Sequence, residues 1–282
     1  PERQYGTGSG RCDGTRAIIE FPTFCKRRKR HQEYIKKQKN SFHNVDSKQP
    51  TRDKDTKLNF YLCSQRIYII MEHIISHKTL TIDKVKELLV PGVHLKLGHD
   101  AEAAIIKCRK YLDSKMEDIG RPVYGVTTGF GSLCNISIPQ EDLSQLQHNL
   151  VMSHACGTGE RVRSEIVKMM ILLKVQSLSY GYSGVQLETV QKLIDMFNND
   201  ILPLVYQQGS LGASGDLAPL AHLCLPLIGM GEVEYKGQVR KSVDVWKELG
   251  WEPIRLRSKE GLALLNGTQF MSAHAVWSLI QA

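Results

Sequence analysis

What this 282-residue sequence lacks narrows its reading before any motif is considered. Its seven cysteines (Cys12, Cys25, Cys63, Cys108, Cys134, Cys156 and Cys224) are odd in number, scattered, and never in Cys-x-x-Cys spacing. That argues against a disulfide framework or a structural zinc site and fits a reducing, cytoplasmic setting. No apolar run is long enough to span a bilayer, and the patch Ile67-Tyr68-Ile69-Ile70-Met71 is far too short. No stretch combines a charged start, an apolar core and a small-residue cleavage site, so Asn135-Ile136-Ser137 and Asn266-Gly267-Thr268 read as chance matches to the glycosylation pattern. The pairs Gly129/Gly131, Gly157/Gly159 and Gly229/Gly231 lack the further glycine of a dinucleotide fingerprint, which excludes a Rossmann reading. For His73, His77, His94 and His99 we expect surface or locally satisfied imidazoles, and no metal site.

Negative charge is scarce only at the start. Residues 1–70 carry 16 Lys and Arg against 7 Asp and Glu, whereas residues 71–282 carry 21 against 22. The basic excess, with its cluster Lys26-Arg27-Arg28-Lys29-Arg30-His31, therefore belongs to a polar stretch with little apolar periodicity. We read 1–70 as a disordered leader or an extension foreign to the folded part, which opens at Met71 and runs over 71–282. Nucleic-acid binding is not expected beyond a weak contribution from that leader, and no membrane partner is expected.

From Met71 onward the apolar period is helical. Thr81 is a good N-cap for a short helix with Ile82, Val85 and Leu88 on one side, ending before Pro91-Gly92. A second helix over 101–116 places Ile105, Cys108 and Leu112 inward and Lys107, Arg109, Lys110 and Asp113 on the other faces. Helices follow over 141–154, 165–179 and 187–197, the second apolar nearly all round and so central and buried. Glu232 to Arg240 alternates around Lys236-Gly237 as a small, peripheral surface hairpin. The expected fold is mainly all-α: a long helical-bundle core, a loop-rich N-terminal cap and one small hairpin.

Two loops interrupt this pattern. Tyr124-Gly125-Val126-Thr127-Thr128-Gly129-Phe130-Gly131 has the composition of a mobile loop. The other is Gly209-Ser210-Leu211-Gly212-Ala213-Ser214-Gly215-Asp216-Leu217-Ala218-Pro219-Leu220-Ala221-His222. Ala213 and Gly215 have almost no side chain, so a compressed loop could bring the Gly215 amide nitrogen to the Ala213 carbonyl carbon and close a five-membered ring. Loss of two waters, one carrying the Ala213 carbonyl oxygen and one the Ser214 hydroxyl, would then leave an imidazolone with an exocyclic methylidene, an electrophile that stands in for a cofactor. On residue types alone a capping turn explains Ala-Ser-Gly better, as a turn better explains Asn266-Gly267 and local backbone better explains a histidine at a helix end.

The run Gly212-Ala213-Ser214-Gly215-Asp216-Leu217-Ala218-Pro219-Leu220 resembles the signature of the aromatic amino acid ammonia-lyases and aminomutases, and the likeness covers Met71 to the end. It implies a methylidene-imidazolone made from Ala213, Ser214 and Gly215, with no external cofactor and no metal. It further implies Tyr124 as the base that takes the substrate β-proton, with Gly129 and Gly131 supporting its loop. Ser153-His154 resembles the pair that reads the substrate ring in the histidine lyases, where phenylalanine enzymes carry an apolar pair and tyrosine enzymes His-Leu. Glu260-Gly261-Leu262-Ala263-Leu264-Leu265-Asn266-Gly267-Thr268-Gln269 is the third shared motif, with Asn266 contacting ring and substrate, Gln269 supporting it, and Asp216 supporting the triplet.

The implied function is elimination of ammonia from L-histidine to give trans-urocanate, in a homotetramer whose active sites neighbouring subunits complete. A helix from Gln269 runs to Ala282 in mid-pattern, so the chain is expected to be a fragment cut short, silent alone, with roughly a further domain's length in family members. The alternatives are a tyrosine or phenylalanine ammonia-lyase or aminomutase, or a helical interaction protein without activity.

Overall fold

A computed structural model describes residues 56–63, 66–117 and 122–282. The basic cluster Lys26–His31, with Cys12 and Cys25, lies outside the described residues. Strands β1 (Thr56–Cys63) and β2 (Arg66–Ile75) pair antiparallel, and β2 pairs in parallel with β3 (Val93–Leu97). Helix α1 (Ile82–Leu88) lies in the crossover between them. This three-stranded sheet was not expected from the helical period. Its source is the β-branched run through Ile67, Ile69, Ile70, Ile74 and Ile75, which favours the pleated conformation. Position 71, where the folded part was expected to open, lies inside β2. The four-residue spacing of His73 and His77 would share a face in a helix; here His73 is in the strand, and the His77 Nε2–H donates to Ser179 O at 3.0 Å.

The Thr81 cap forms as read, its hydroxyl accepting from Lys84 N at 3.2 Å. Helix α2 (His99–Glu117) buries Ala101 and Ile105. Arg109, assigned to a solvent face by period, is buried instead. Its Nη1 donates to Gly184 O at 2.7 Å and Ser258 O at 3.0 Å, and its guanidinium pairs with Asp113, so the planar fork is satisfied without water. Two 3₁₀ turns, Gly131–Leu133 and Gln140–Asp142, lead into α3 (Leu143–His154). Then come β4 (Thr158–Arg161), α4 (Ser164–Ser179) and α5 (Leu187–Asn198).

Helix α4 is the axis of the core. Ile166, Val167, Met169, Met170, Ile171, Leu172, Val175 and Leu178 are all buried, so no face is left for solvent. After it the chain forms β5 (Leu202–Pro203), β6 (Tyr206–Gln208) and α6 (Ala218–Cys224). The strands β7 (Glu232–Tyr235) and β8 (Gln238–Lys241) make the expected hairpin, with Lys236 and Gly237 at φ 52° and 76°, the two positive values a tight primed turn requires. The hairpin is not peripheral. β7 also pairs with β5, and Val233 and Tyr235 join the main core, because alternation in β7 sends every second side chain inward. The chain ends with α7 (Ser242–Leu249), α8 (Glu260–Leu265) and α9 (Gln269–Gln281). The architecture is mainly α, with three small sheets among the described residues.

Helix α8 is anchored by Glu260, whose side chain is fully buried. Its carboxylate accepts from Gln186 N at 2.8 Å, Gln186 Nε2 at 2.6 Å, Thr189 Oγ1 at 2.7 Å and Arg257 N at 2.8 Å. Removing it orphans two backbone amides and a hydroxyl in the interior, so Glu260→Ala is expected to lower unfolding free energy by about 3 kcal/mol, and Glu260→Gln by less. Urea denaturation reads this directly; a loss under about 1 kcal/mol would deny Glu260 the anchoring role.

Candidate active site

Strands β4 and β6 pair antiparallel through Thr158↔Gln208 and Arg161↔Tyr206 and deliver the chain to Gly209. Ala213 and Ser214 then form a turn closed by the Gly215 N–H, which donates to Gly212 O at 3.0 Å. Gly215 sits at φ +84°, where any other residue would be strained. Asp216 ties the two stems of the loop. Its Oδ1 accepts from Ser210 N at 2.8 Å and Ala218 N at 3.1 Å, with Ser210 Oγ at 3.4 Å. The helix itself starts at Ala218, with Pro219 in its first turn, so Asp216 precedes it and caps from outside.

The loop fits the ring chemistry read from the sequence. The triplet is exposed, the turn folds the Gly215 nitrogen back over residues 212–213, and a Cβ added at Gly215 would meet nothing within 4 Å. Gly209 is glycine for a different reason: a Cβ there would stand 2.1 Å from both Asp216 carboxylate oxygens.

The Tyr124 loop is tethered where mobility was expected. Val123 O accepts from Val126 N and Thr127 N, Thr127 Oγ1 accepts from Val123 N at 2.9 Å, and Thr128 bridges to Ser137. Two of the anchors are threonine hydroxyls on nearby backbone: Thr127 Oγ1 at Val123 N, and Thr128 Oγ1, which accepts from Gly125 N at 3.3 Å and donates to Gly129 O at 2.9 Å. Tyr124 is 56% exposed and meets Phe130 edge to face at 5.9 Å. Gly125, at φ +70°, lets the loop lie on α8, since a Cβ there would be 2.7 Å from Leu262 Cδ2. A Cβ at Gly129 would be 2.6 Å from Leu133 Cβ, whereas at Gly131, at φ +58°, a Cβ would meet nothing within 4 Å.

Helices α3, α6 and α8 pack against one another and carry the remaining residues. Ser153 and His154 end α3. Leu150 O can only accept, so His154 Nδ1, 2.9 Å away, carries the proton, with Ser153 Oγ at 3.1 Å. Local backbone thus satisfies one ring nitrogen and leaves Nε2 as an acceptor. Just beyond, Gly157 N–H donates to His222 Nε2 at 2.9 Å, which joins the end of α3 to α6. Burial holds the His222 pKa below its ordinary 6.5, consistent with the neutral ring this bond needs.

Asn266 is the C-cap of α8, exposed, its N–H bonded to Leu262 O at 3.1 Å. Its carbonyl accepts from Lys174 Nζ at 3.2 Å, and Ala263 O accepts from the same nitrogen at 3.0 Å. Gln269 is buried with its Oε1 unpartnered, lying 2.1 Å from where a Cβ on Gly267 would be. Gly261 N donates to Gln147 Oε1 at 2.9 Å and ties α8 to α3.

Every expected segment therefore hangs on one three-helix junction, with the triplet through α6, His154 through α3, and Asn266 and the Tyr124 loop through α8. Sequence reading missed His222 and Lys174. For Lys174 a signal existed, a single lysine amid an otherwise apolar stretch of α4; for His222, 65 residues from Gly157, there was none.

The His222 bond has a pH signature. Because its folded pKa is depressed, its contribution is complete above 6.5 and is lost as pH falls below 6.5, where the unfolded imidazole takes a proton that the folded site resists. The melting temperature is expected to fall from pH 6.5 to 5, and His222→Gln to flatten part of that slope; the rest belongs to His274, also depressed by burial. An unchanged slope in the variant would remove His222 from the account. Gly209→Ala is expected to cost about 1–3 kcal/mol in chemical denaturation, by driving the Asp216 carboxylate off Ser210 N and Ala218 N.

Comparison with known proteins gives the family of the chain. The family model for aromatic amino acid lyases matches residues 80–282. A histidine ammonia-lyase of Deinococcus radiodurans is 48% identical over 200 residues, covering 71% of this chain and 38% of that protein. The crystal structure of histidine ammonia-lyase from Trypanosoma cruzi superposes with a TM-score of 0.68 at 38% identity, over 74% of this chain and 40% of that one. A tyrosine aminomutase from Streptomyces globisporus gives 0.66 at 32% identity, over 72% and 38%. The chain thus spans about two fifths of the length of the relatives it matches. With the family model covering well over half of its residues, the chain belongs to the aromatic amino acid lyase family.

Proposed function

We propose that this chain forms part of an L-histidine ammonia-lyase, which eliminates ammonia from L-histidine without oxidation to give trans-urocanate, the opening step of histidine breakdown. The observation that carries the reading is the unobstructed Gly212–Gly215 turn, cross-tied by Asp216 and set on the same junction as Ser153-His154. Ala213, Ser214 and Gly215 would hold the methylidene-imidazolone, which supplies an electrophilic carbon for the substrate without any external cofactor. Tyr124 Oη removes the β-proton, a weakly acidic hydrogen whose loss demands close positioning. His154 Nε2, left as an acceptor by the Leu150 bond, receives the N–H of the substrate imidazole, with Ser153 beside it. Asn266 holds ring and substrate, with Gln269 behind Gly267. In this reading Gly129 supports the Tyr124 loop and Asp216 fixes the triplet. The working assembly is a cytoplasmic homotetramer whose subunits complete one another's sites.

A second reading has one observation in its favour. A phenol O–H would suit the same Nε2 acceptor, so tyrosine is the competing substrate.

Peptide mass across Gly209–Leu220 tests the group: two waters should be missing in the unmodified chain and both present in Ser214→Ala. Retention of both waters in the unmodified chain would defeat the proposal that these residues build the electrophile. Substrate choice is read by calorimetric titration with L-histidine, L-tyrosine and L-phenylalanine. His154→Leu should weaken histidine relative to phenylalanine by roughly ten- to a hundredfold, the worth of one hydrogen bond to a buried polar ring. An unchanged preference would transfer the ring-reading role elsewhere, and stronger tyrosine than histidine binding would favour the second reading.

A further inference from the structure

We propose that Lys174 is a positioning residue for Asn266, an ammonium set in the core to hold the peptide that presents this side chain; its functional meaning rests on the reading above. Lys174 stands in the middle of α4, the axis of the core, and is 1% exposed. Its neighbours along that helix are Met170, Ile171, Leu172 and Val175, all fully buried. Leu or Met would serve packing at such a position, and an ammonium there is costly unless its donors are used. Two of its three donors are used at the end of α8, on Ala263 O and Asn266 O, at 3.0 and 3.2 Å.

Among the described residues no carboxylate pairs with Lys174. The titratable group acting on it is the Cys224 thiol of α6. Burial pushes that thiol up to about 12 and so keeps it neutral, while burial lowers the ammonium to about 8. The charge is therefore answered by the carbonyl end of α8, the negative end of its dipole, and not by a counter-ion.

The contact falls where Asn266 needs it. Asn266 is the last residue with a link back into α8, and Gly267 and Thr268 join it to α9 without helical structure. Its side chain is exposed, so the backbone bonds and not packing fix where the carboxamide starts. Lys174 Nζ bonds the carbonyl of the 266–267 peptide, and the Gln269 side chain lies against Gly267 on the next turn.

The test compares Lys174→Met, which keeps the length of the side chain and removes charge and donors, with the unmodified 282-residue chain. A cooperative melt reports folding, and amide hydrogen exchange reports local order. Exchange at the Asn266 amide, which is bonded to Leu262 O, should rise about tenfold or more in the variant while α3 and α6 keep their protection. Unchanged exchange at Asn266, or equal loosening throughout the junction, would overturn the proposal.

A second measurement stands even if the variant fails to fold. In the unmodified chain the Asn266 side-chain amide and Gly267 backbone amide signals should shift together with a midpoint near the value of about 8 set by burial of Lys174. A merely space-filling lysine would not produce that titration, and its absence sinks the idea. Adding L-histidine separates the two claims: no shift of the Asn266 amide on saturation counts against the functional reading, while the titration still measures the coupling to Lys174.

Discussion

Backbone groups left over at the ends of short helices must find partners inside the molecule, and the site depends on how this chain meets that demand. Leu150 O, in the last turn of α3, accepts from His154 Nδ1–H. Ala218 N at the start of α6 is taken by Asp216. Gly261 N at the start of α8 goes to Gln147, and Ala263 O and Asn266 O at its end go to Lys174. Residues expected to handle substrate thus also cap helices or lie one bond from a residue that does.

Close approach is the second device. Gly209 admits the Asp216 carboxylate, Gly125 admits Leu262, and Gly157 admits the His222 ring. At each of these positions a single Cβ would push apart two segments distant in sequence or on opposite stems of a loop. The buried α4 axis makes such precision possible, since a helix packed on every side gives α2, α5 and α9 a common surface to rest on.

The helices themselves were legible because their apolar period is strong: α4 and α5 begin and end within a residue of the expected bounds. Other features were not, each for a physical reason. The β1–β2–β3 sheet arises from pairing between segments whose alternation is imperfect, and pairing partners are invisible in one dimension. Arg109 followed helical period to the outside, but its fork found two carbonyls and a carboxylate inside. The 232–240 hairpin looked peripheral because its second partner, β5, is two residues long. The Tyr124 loop has the composition of a mobile loop, and its threonine hydroxyls bond nearby backbone.

By itself the sequence determined the mainly helical class, the turn composition of the triplet loop, and the residue types that make a backbone-derived electrophile conceivable. These follow from local stereochemistry: side-chain period, the freedom of glycine, and the small size of Ala213 and Gly215. Only the tertiary structure decided that His222 clasps Gly157 and that a lysine of the central helix holds the peptide of Asn266. Each joins groups by a hydrogen bond whose partner depends on where packing sets the chain. His222 and Gly157 lie 65 residues apart, and Lys174 and Asn266 lie 92 apart. No local rule carries information over that separation; the folding of the core around α4 does.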